Sequence, residues 1–198
     1  YELEDLWADT KAGHNITGTV FIECGAEYRT DGPVALQPVG ETEYVVAQAK
    51  QARKGEAPGK PPILGIVSHA DLTLGAAVVD VLEAHQESAE GLLRGIRYST
   101  AFYPDPPAVD RYAGRVAELM LQPSFREGFA QLSSAGLSYD AWLLHTQITE
   151  LTDLARAFPD TTIILDHFGG PLGIGPYSGK QAELFPQWKA DIAELARC

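Results

Sequence analysis

Residues 161–173, TTIILDHFGGPLG, are the segment most indicative of the fold of this chain. The segment begins with apolar residues typical of a buried strand, continues with Asp166 and His167, and ends in a loop rich in glycine and proline. Two ionisable groups beside a buried strand end are costly to remove from water unless they are paired or bind something. The segment therefore predicts a partner or a function for these two side chains.

The strand-like pattern of this segment occurs five times along the chain. Short and mostly continuous apolar runs lie at 17–24, 62–69, 92–99, 138–144 and 162–167. Helical patterns lie at 1–10, 40–53, 73–87, 123–134, 147–158 and 178–197, and loops are predicted at 29–38 and 103–110. This alternation predicts an α/β fold with parallel strands that are buried on both faces, in one domain over 1–198. Pro186 predicts a break or kink in the last helix.

The composition limits the class of ligand. The net charge is −12 and the pI is near 4.7, which argues against nucleic acid or an anionic membrane as a partner and favours a small molecule. We find no run of about 18 consecutive apolar residues, so no membrane span is predicted. Cys24 and Cys198 do not make a disulfide framework, so a reducing cytoplasm is the expected location.

Each predicted strand is followed by polar residues. They are Glu23 and Cys24, His69 and Asp71, Arg97, His145 and Gln147, and Asp166 and His167. In parallel α/β folds, ligands bind at the carboxyl ends of the strands. Five polar strand ends therefore predict one shared site, in an enzyme or a binding protein.

Several of these segments together resemble one known family. They are VFIECGAEY at 20–28, GIVSHADL at 65–72, RGIRYS at 94–99, the strand leading to His145-x-Gln147, and FPDTTIILDHFGGPLG at 158–173. They resemble the amidohydrolase-related family of metal-dependent hydrolases, which has a (β/α)8 TIM-barrel fold, near its sugar-lactone and pyrone-dicarboxylate lactonase branch. The resemblance implies hydrolysis of a lactone or cyclic ester by an activated water.

Two motifs of that family have no counterpart in this chain. Its first strand ends in His-x-His and its last strand ends in an aspartate that would act as general base. No two histidines here are separated by one residue. The chain is therefore expected to correspond to strands two to six of an incomplete barrel, and to be inactive by itself.

The resemblance also implies roles for the residues after the fifth strand. His167 would be a catalytic residue and a ligand of a divalent metal, with zinc as the expected ion. A mechanism without metal, in which histidines donate hydrogen bonds, stays open, as does a structural role in which His167 caps the glycine-rich loop. Asp166 should point the other way, as a helix cap or a partner of neighbouring groups.

The other strand ends supply candidates for substrate binding. The planar fork of Arg97 suits a substrate carboxylate or lactone oxygen, and the alternative is an internal salt bridge. His145 is expected to line the pocket, although a metal-binding or oxyanion role is open. Glu23 would lie near the metal or in a buried ion pair. His69 is a further substrate-binding candidate, although it and Asp71 are more typical of a helix cap and its neighbour.

Two expectations depend on the fold. His85 lies among Glu83, Gln86 and Glu87, so it is predicted on the surface. An open, doubly wound α/β module that binds a small ligand without catalysis is the alternative to the barrel, and in it five strands would be the complete sheet.

Overall fold

A computed structural model describes residues 2–55, 57, 59–104 and 115–198. The chain consists of two compact units. The first contains Tyr1–Ala70 and Val79–Ile96, and the second contains Asp71–Val78 and Arg97–Cys198. Residues 105–110, which belong to the predicted loop at 103–110, lie outside the described residues.

All five predicted strands are present, and each is shorter than predicted. They are β1 (Thr19–Ile22), β2 (Ile63–His69), β3 (Leu93–Arg97), β4 (Ser138–Ala141) and β5 (Ile163–Leu165). They follow one another in the sheet in chain order, with β1 parallel to β2 and β4 parallel to β5. A doubly wound sheet reverses its strand order at a switch point, whereas a barrel adds each strand beside the previous one. The fold is therefore an incomplete (β/α)8 barrel, and the doubly wound alternative is wrong.

The predicted helices are also present. They are α1 (Leu3–Thr10), α2 (Val39–Lys54), α3 (Val78–Ser88), α4 (Pro123–Ser134), α5 (Ile148–Ala157) and α6 (Gln181–Leu195). The first residues of the predicted helix at 73–87 belong instead to a separate 3-10 segment, Leu72–Ala77. The predicted break at Pro186 is absent, because α6 continues through it. Pro186 is exposed, so water can bond the carbonyl group that its missing N–H leaves without a partner.

The core of the first unit is built from α1, α2 and β2. Leu3 and Trp7 of α1 pack with Val45 and Ala49 of α2 and with Ile63 and Ile66 of β2. Burying a side chain of this size contributes roughly 1.5–3 kcal/mol each. These contacts hold β2 in place and with it the strand end at His69.

His85 is buried in the first unit, so its predicted surface position is wrong. It has no exposed area, its Nδ1 atom lies 2.8 Å from the Thr42 hydroxyl, and its Nε2 atom lies 2.9 Å from the His69 carbonyl oxygen. A carbonyl oxygen only accepts, so Nε2 carries the proton and Nδ1 accepts from Thr42. The Thr42 oxygen lies 2.8 Å from the Ser68 hydroxyl, which completes a directed chain of hydrogen bonds behind β2.

An aromatic cluster forms the core of the second unit. The Phe129 ring lies 5.2 Å from the Tyr139 ring and 5.1 Å from the Phe158 ring, measured between centroids. The Tyr139 hydroxyl donates to the Tyr98 carbonyl oxygen at 2.8 Å. Since Tyr139 faces α4 and side chains alternate along a strand, Asp140 faces the opposite side of β4.

Apolar side chains are exposed on the first and last strands of the sheet. Val20 of β1 and Ile164 of β5 are both exposed. Exposed apolar strands are the condition under which sheets associate with other chains. In the described part of the chain, no helix combines the length and apolar character needed to cross a membrane.

Candidate active site

Glu23 and His69 lie at the same end of paired strands in the first unit. Ile22 of β1 pairs with Val67 of β2, and the Glu23 amide donates to the Val67 carbonyl oxygen at 2.9 Å. His69 is the last residue of β2. Both side chains are partly buried, so this unit presents a carboxylate and an imidazole at its strand ends.

A buried glutamate holds the loop after β1, and the sequence patterns did not single it out. Glu41 of α2 is 2% exposed, and its Oε1 atom accepts from the Cys24 amide at 3.1 Å and the Ala26 amide at 2.7 Å. Burial raises the pKa of the Cys24 thiol, and the Glu41 charge raises it further. An acidic residue in the first turn of a helix is common on surfaces, so only the tertiary contact identifies this role.

The cap interpretation of Asp71 is confirmed in the second unit. Its Oδ1 atom accepts from the Thr73 amide at 2.9 Å. The pKa of the Tyr98 hydroxyl is raised to about 12, mainly by burial and to a smaller extent by the charge of Asp71. The Tyr98 hydroxyl is therefore protonated at neutral pH.

Arg97 and Asp166 form an ion pair at the ends of β3 and β5. The Arg97 Nη1 atom lies 3.6 Å from the Asp166 Oδ2 atom, and both side chains are largely buried. This distance is longer than a hydrogen bond. Asp166 is thus a partner of a neighbouring group, one of the two roles predicted for it, and Arg97 has the internal ion pair that was the alternative to a substrate contact.

Asp140 joins this pair, and the sequence patterns did not single it out. It lies on β4 and is 4% exposed. Burial raises the pKa of the Asp140 carboxyl to about 6, the negative charge of Asp166 adds to the rise, and Arg97 opposes it. The available signal was one acid inside the otherwise apolar segment SYDAWLL at 138–144. We call Arg97, Asp140 and Asp166 the carboxylate–arginine cluster.

His167 directly follows Asp166 of the cluster and lies in a strained segment. His167 and Phe168 have φ angles of 49° and 55°, in the left-handed region that costs residues with side chains roughly 1–2 kcal/mol each. The His167 side chain is exposed, and its ring lies roughly perpendicular to the Trp142 ring, with 6.1 Å between the two centroids. Strain of this kind is often concentrated at functional sites.

His145 lines an apolar groove of the second unit. Its Nδ1 atom accepts from the Leu172 amide at 3.4 Å, and the groove, of about 390 Å³, is lined also by Leu184, Phe185 and Trp188. Burial lowers the pKa of the His145 imidazole. The imidazole also has a hydrogen bond with the Gly170 backbone, and His145 lines the groove as a neutral polar group.

The described residues do not provide a complete metal site. No group of three or more histidine, cysteine, aspartate or glutamate side chains converges among them. Catalytic zinc sites use three protein ligands. In the described part of the chain His167 thus belongs to no group of three or more such side chains, and no metal-dependent step can be derived from these residues.

The strand order and the polar strand ends agree with comparisons to known proteins. The model of the amidohydrolase family matches residues 19–198. The chain belongs to the amidohydrolase family. It is also 35% identical over 169 residues to the uncharacterized protein y4mH of Sinorhizobium fredii, a match that covers 85% of this chain and 50% of y4mH. This amidohydrolase chain therefore spans half the length of that curated relative.

Solved structures support the same fold. An amidohydrolase from Burkholderia multivorans with bound HEPES matches all of this chain and 56% of its own, at 18% identity and a TM-score of 0.66. A second crystal form of the Burkholderia protein, with bound zinc, matches at 18% identity, a TM-score of 0.65 and the same coverage. At this identity the likeness establishes the barrel fold, and the zinc is a property of the Burkholderia protein.

Proposed function

We propose that this amidohydrolase hydrolyses a lactone or other cyclic ester. Its family is one of hydrolases that act on small molecules. In the proposed reaction, water attacks the carbonyl carbon, the ring C–O bond breaks, and the ring oxygen takes up a proton to give a hydroxy acid. Negative charge develops on the carbonyl oxygen as water attacks, so the site needs a donor of positive character there.

The observation that supports this proposal is the position of Arg97. Its guanidinium lies at a strand end, is largely buried, and is 3.6 Å from the Asp166 carboxylate without a hydrogen bond between these two atoms. A guanidinium has five N–H donors, so it can contact a carbonyl or ring oxygen while it keeps its ion pair. Arg97 would thus hold the substrate and stabilise the developing charge.

We propose His167 as a second group of the site. Its exposed imidazole at a strand end can be one ligand of a divalent ion such as zinc, or can donate a hydrogen bond to the substrate in a mechanism without metal. The described residues supply no ligand set around it, so the reaction proposed here contains no step on a metal. His145 would line the substrate groove. For Glu23 and His69, in the first unit, substrate contact stays a prediction.

The proposal also covers the charge of the substrate and the cellular location. A small, uncharged or weakly charged substrate suits a chain with a net charge of −12, because such a surface does not attract polyanions. Cys24 and Cys198 are both free thiols. A reducing cytoplasm is the location that we propose.

The substitution Arg97→Lys tests this function. Lysine keeps the charge but lacks the planar fork, so in the complete gene product it should lower kcat/KM for lactones by about 10- to 100-fold, or about 1.4–2.7 kcal/mol. Proton release during hydrolysis of a lactone panel gives the rate. Arg126→Lys is the matched control, since Arg126 lies on α4 and pairs with Asp153. Equal rates for wild type and Arg97→Lys would remove Arg97 from the site.

A further inference from the structure

We propose that Asp140 determines specificity: its carboxylate accepts a hydrogen bond from a hydroxyl or amide donor of the substrate beside Arg97, so neutral substrates with such donors are preferred to acidic ones. The inference rests on the proposed lactone hydrolysis for the identity of the substrate. The existence of the binding subsite does not depend on lactone hydrolysis.

The first observation is an unsatisfied atom. Asp140 is 4% exposed, and its Oδ1 atom has no hydrogen-bond partner among the residues that the structure describes. Leaving a buried acceptor without a donor costs roughly 1–3 kcal/mol, and more for a charged group. A ligand that supplies a donor at this atom recovers that free energy on binding.

The second observation is a neighbouring acceptor with the same property. The Asp166 Oδ2 atom is buried and also has no hydrogen-bond partner in the described part of the chain. In the parallel register of β4 and β5, Asp140 pairs with Ile164, Asp166 directly follows the last residue of β5, and its charge acts on the Asp140 carboxyl. The two acceptors can therefore serve adjacent donors of one ligand.

The charges of the cluster decide which ligand fits. Arg97 forms an ion pair with Asp166, and the charges of both Arg97 and Asp166 act on the Asp140 carboxyl. A substrate carboxylate that approached Arg97 would also approach both acids, and like charges at such distances repel in a partly buried site. A hydroxyl or N–H group meets the two acceptors instead and pays no such cost. This reverses the simplest expectation for a strand-end arginine, namely that it anchors an acidic substrate.

A purely structural role does not explain the unsatisfied atom. Buried carboxylates that serve only the fold have their oxygens bonded by backbone amides or side chains, as Glu41 does with the Cys24 and Ala26 amides. The Asp140 carboxyl has a hydrogen bond with Ser138, whereas its Oδ1 atom has no partner among the described residues and can accept from an incoming donor. Its pKa of about 6 leaves it mostly ionised at neutral pH, which is the form that accepts.

Binding of two unreactive probes to the complete gene product tests the proposal. Glucono-1,5-lactam carries hydroxyl and N–H donors without charge, and glucaro-1,5-lactam adds one carboxylate. By isothermal titration at pH 7.5, the wild-type protein should bind the neutral lactam at least about 10-fold more tightly, since a hydrogen bond to a charged group is of that strength. Equal affinities, a preference for the acidic lactam, or binding of neither would overturn the proposal.

Asp140→Asn supplies the matched variant. It keeps the size of the side chain and an acceptor oxygen but removes the charge, so it should weaken binding of the neutral lactam about 10-fold and strengthen binding of the acidic one. Asp153→Asn, on α5, is the control that should change neither affinity. If Asp140→Asn does not fold, the 13C resonance of the Asp140 carboxyl in wild type should shift with the neutral lactam, and no shift refutes the contact.

Two measurements on the same protein distinguish a failure of the subsite from a failure of the proposed function. Hydrolysis of glucono-1,5-lactone is measured in parallel with lactam binding. Binding with the predicted preference but no hydrolysis would refute the lactonase function and leave the subsite. Hydrolysis that Asp140→Asn leaves unchanged in kcat and KM would refute the subsite and leave the function.

Discussion

Replacing His85 with leucine should remove part of the acid sensitivity of the folded protein. Burial lowers the pKa of His85 from its usual 6.5 to about 4. Between these two values the unfolded chain binds a proton at this imidazole and the folded chain does not, so stability falls as the pH drops from about 6.5 towards 4. Above pH 6.5 the contribution of this group is fully present.

The size of the effect follows from the shift. One pKa unit corresponds to about 1.36 kcal/mol, so the shift of His85 makes on the order of 3 kcal/mol of stability dependent on pH. Leucine does not titrate and also leaves the Thr42 hydroxyl and the His69 carbonyl without the partners described above. His85→Leu should therefore be less stable than wild type at pH 7, and the difference should shrink by on the order of 3 kcal/mol as the pH approaches 4.

Urea unfolding of the complete gene product, followed by tryptophan fluorescence at pH 7, 6, 5 and 4.5, measures this difference. Other acidic groups contribute equally to both proteins, so the comparison isolates His85. His14→Leu, at an exposed histidine, is the control that should keep the wild-type pH dependence. Parallel stability curves for wild type and His85→Leu would refute the argument, because they would mean that His85 is protonated equally in both states.

Two further substitutions test the supports of the candidate site. In a Cys198→Ser background, Glu41→Gln should lower the pKa of the Cys24 thiol, because it removes the nearby charge that raises this pKa. The thiol should then react faster with a disulfide reagent at pH 7.5, whereas the control Glu43→Gln, on the same helix, should not change the rate. An unchanged rate for Glu41→Gln would contradict the proposed contact. At Gly170, φ is 53° and an added Cβ atom would overlap the Leu143 carbonyl oxygen, so Gly170→Ala should lower the free energy of unfolding by roughly 2 kcal/mol or more. Gly136→Ala is its control, with φ of 68° and open space around the added atom, and equal losses in a urea titration would show that the close approach is unimportant.

The fold class could be predicted from local patterns. The five apolar runs are short, nearly continuous and separated by helical periods, a pattern that parallel strands covered on both faces impose. Residues Ile148, Leu151 and Leu154 recur at helical spacing and are all buried in α5. The same rule could have placed His85 inside, since Val78, Val81 and Leu82 share its helical face and are buried. Its charged neighbours in sequence concealed that position.

The amino-acid sequence by itself determined the strands, their helices, their polar ends and the family resemblance, because these depend on residues near one another in the chain. Only the tertiary structure decided which polar groups meet. The ion pair of Asp166 with Arg97 and the effect of its charge on Asp140 depend on how β3, β4 and β5 lie beside one another. The capping of the β1 loop depends on Glu41 of a later helix. Burial and charge at these contacts are sums over residues far apart in sequence, so no local pattern can state whether an aspartate is a solvated cap or a buried acceptor beside an arginine.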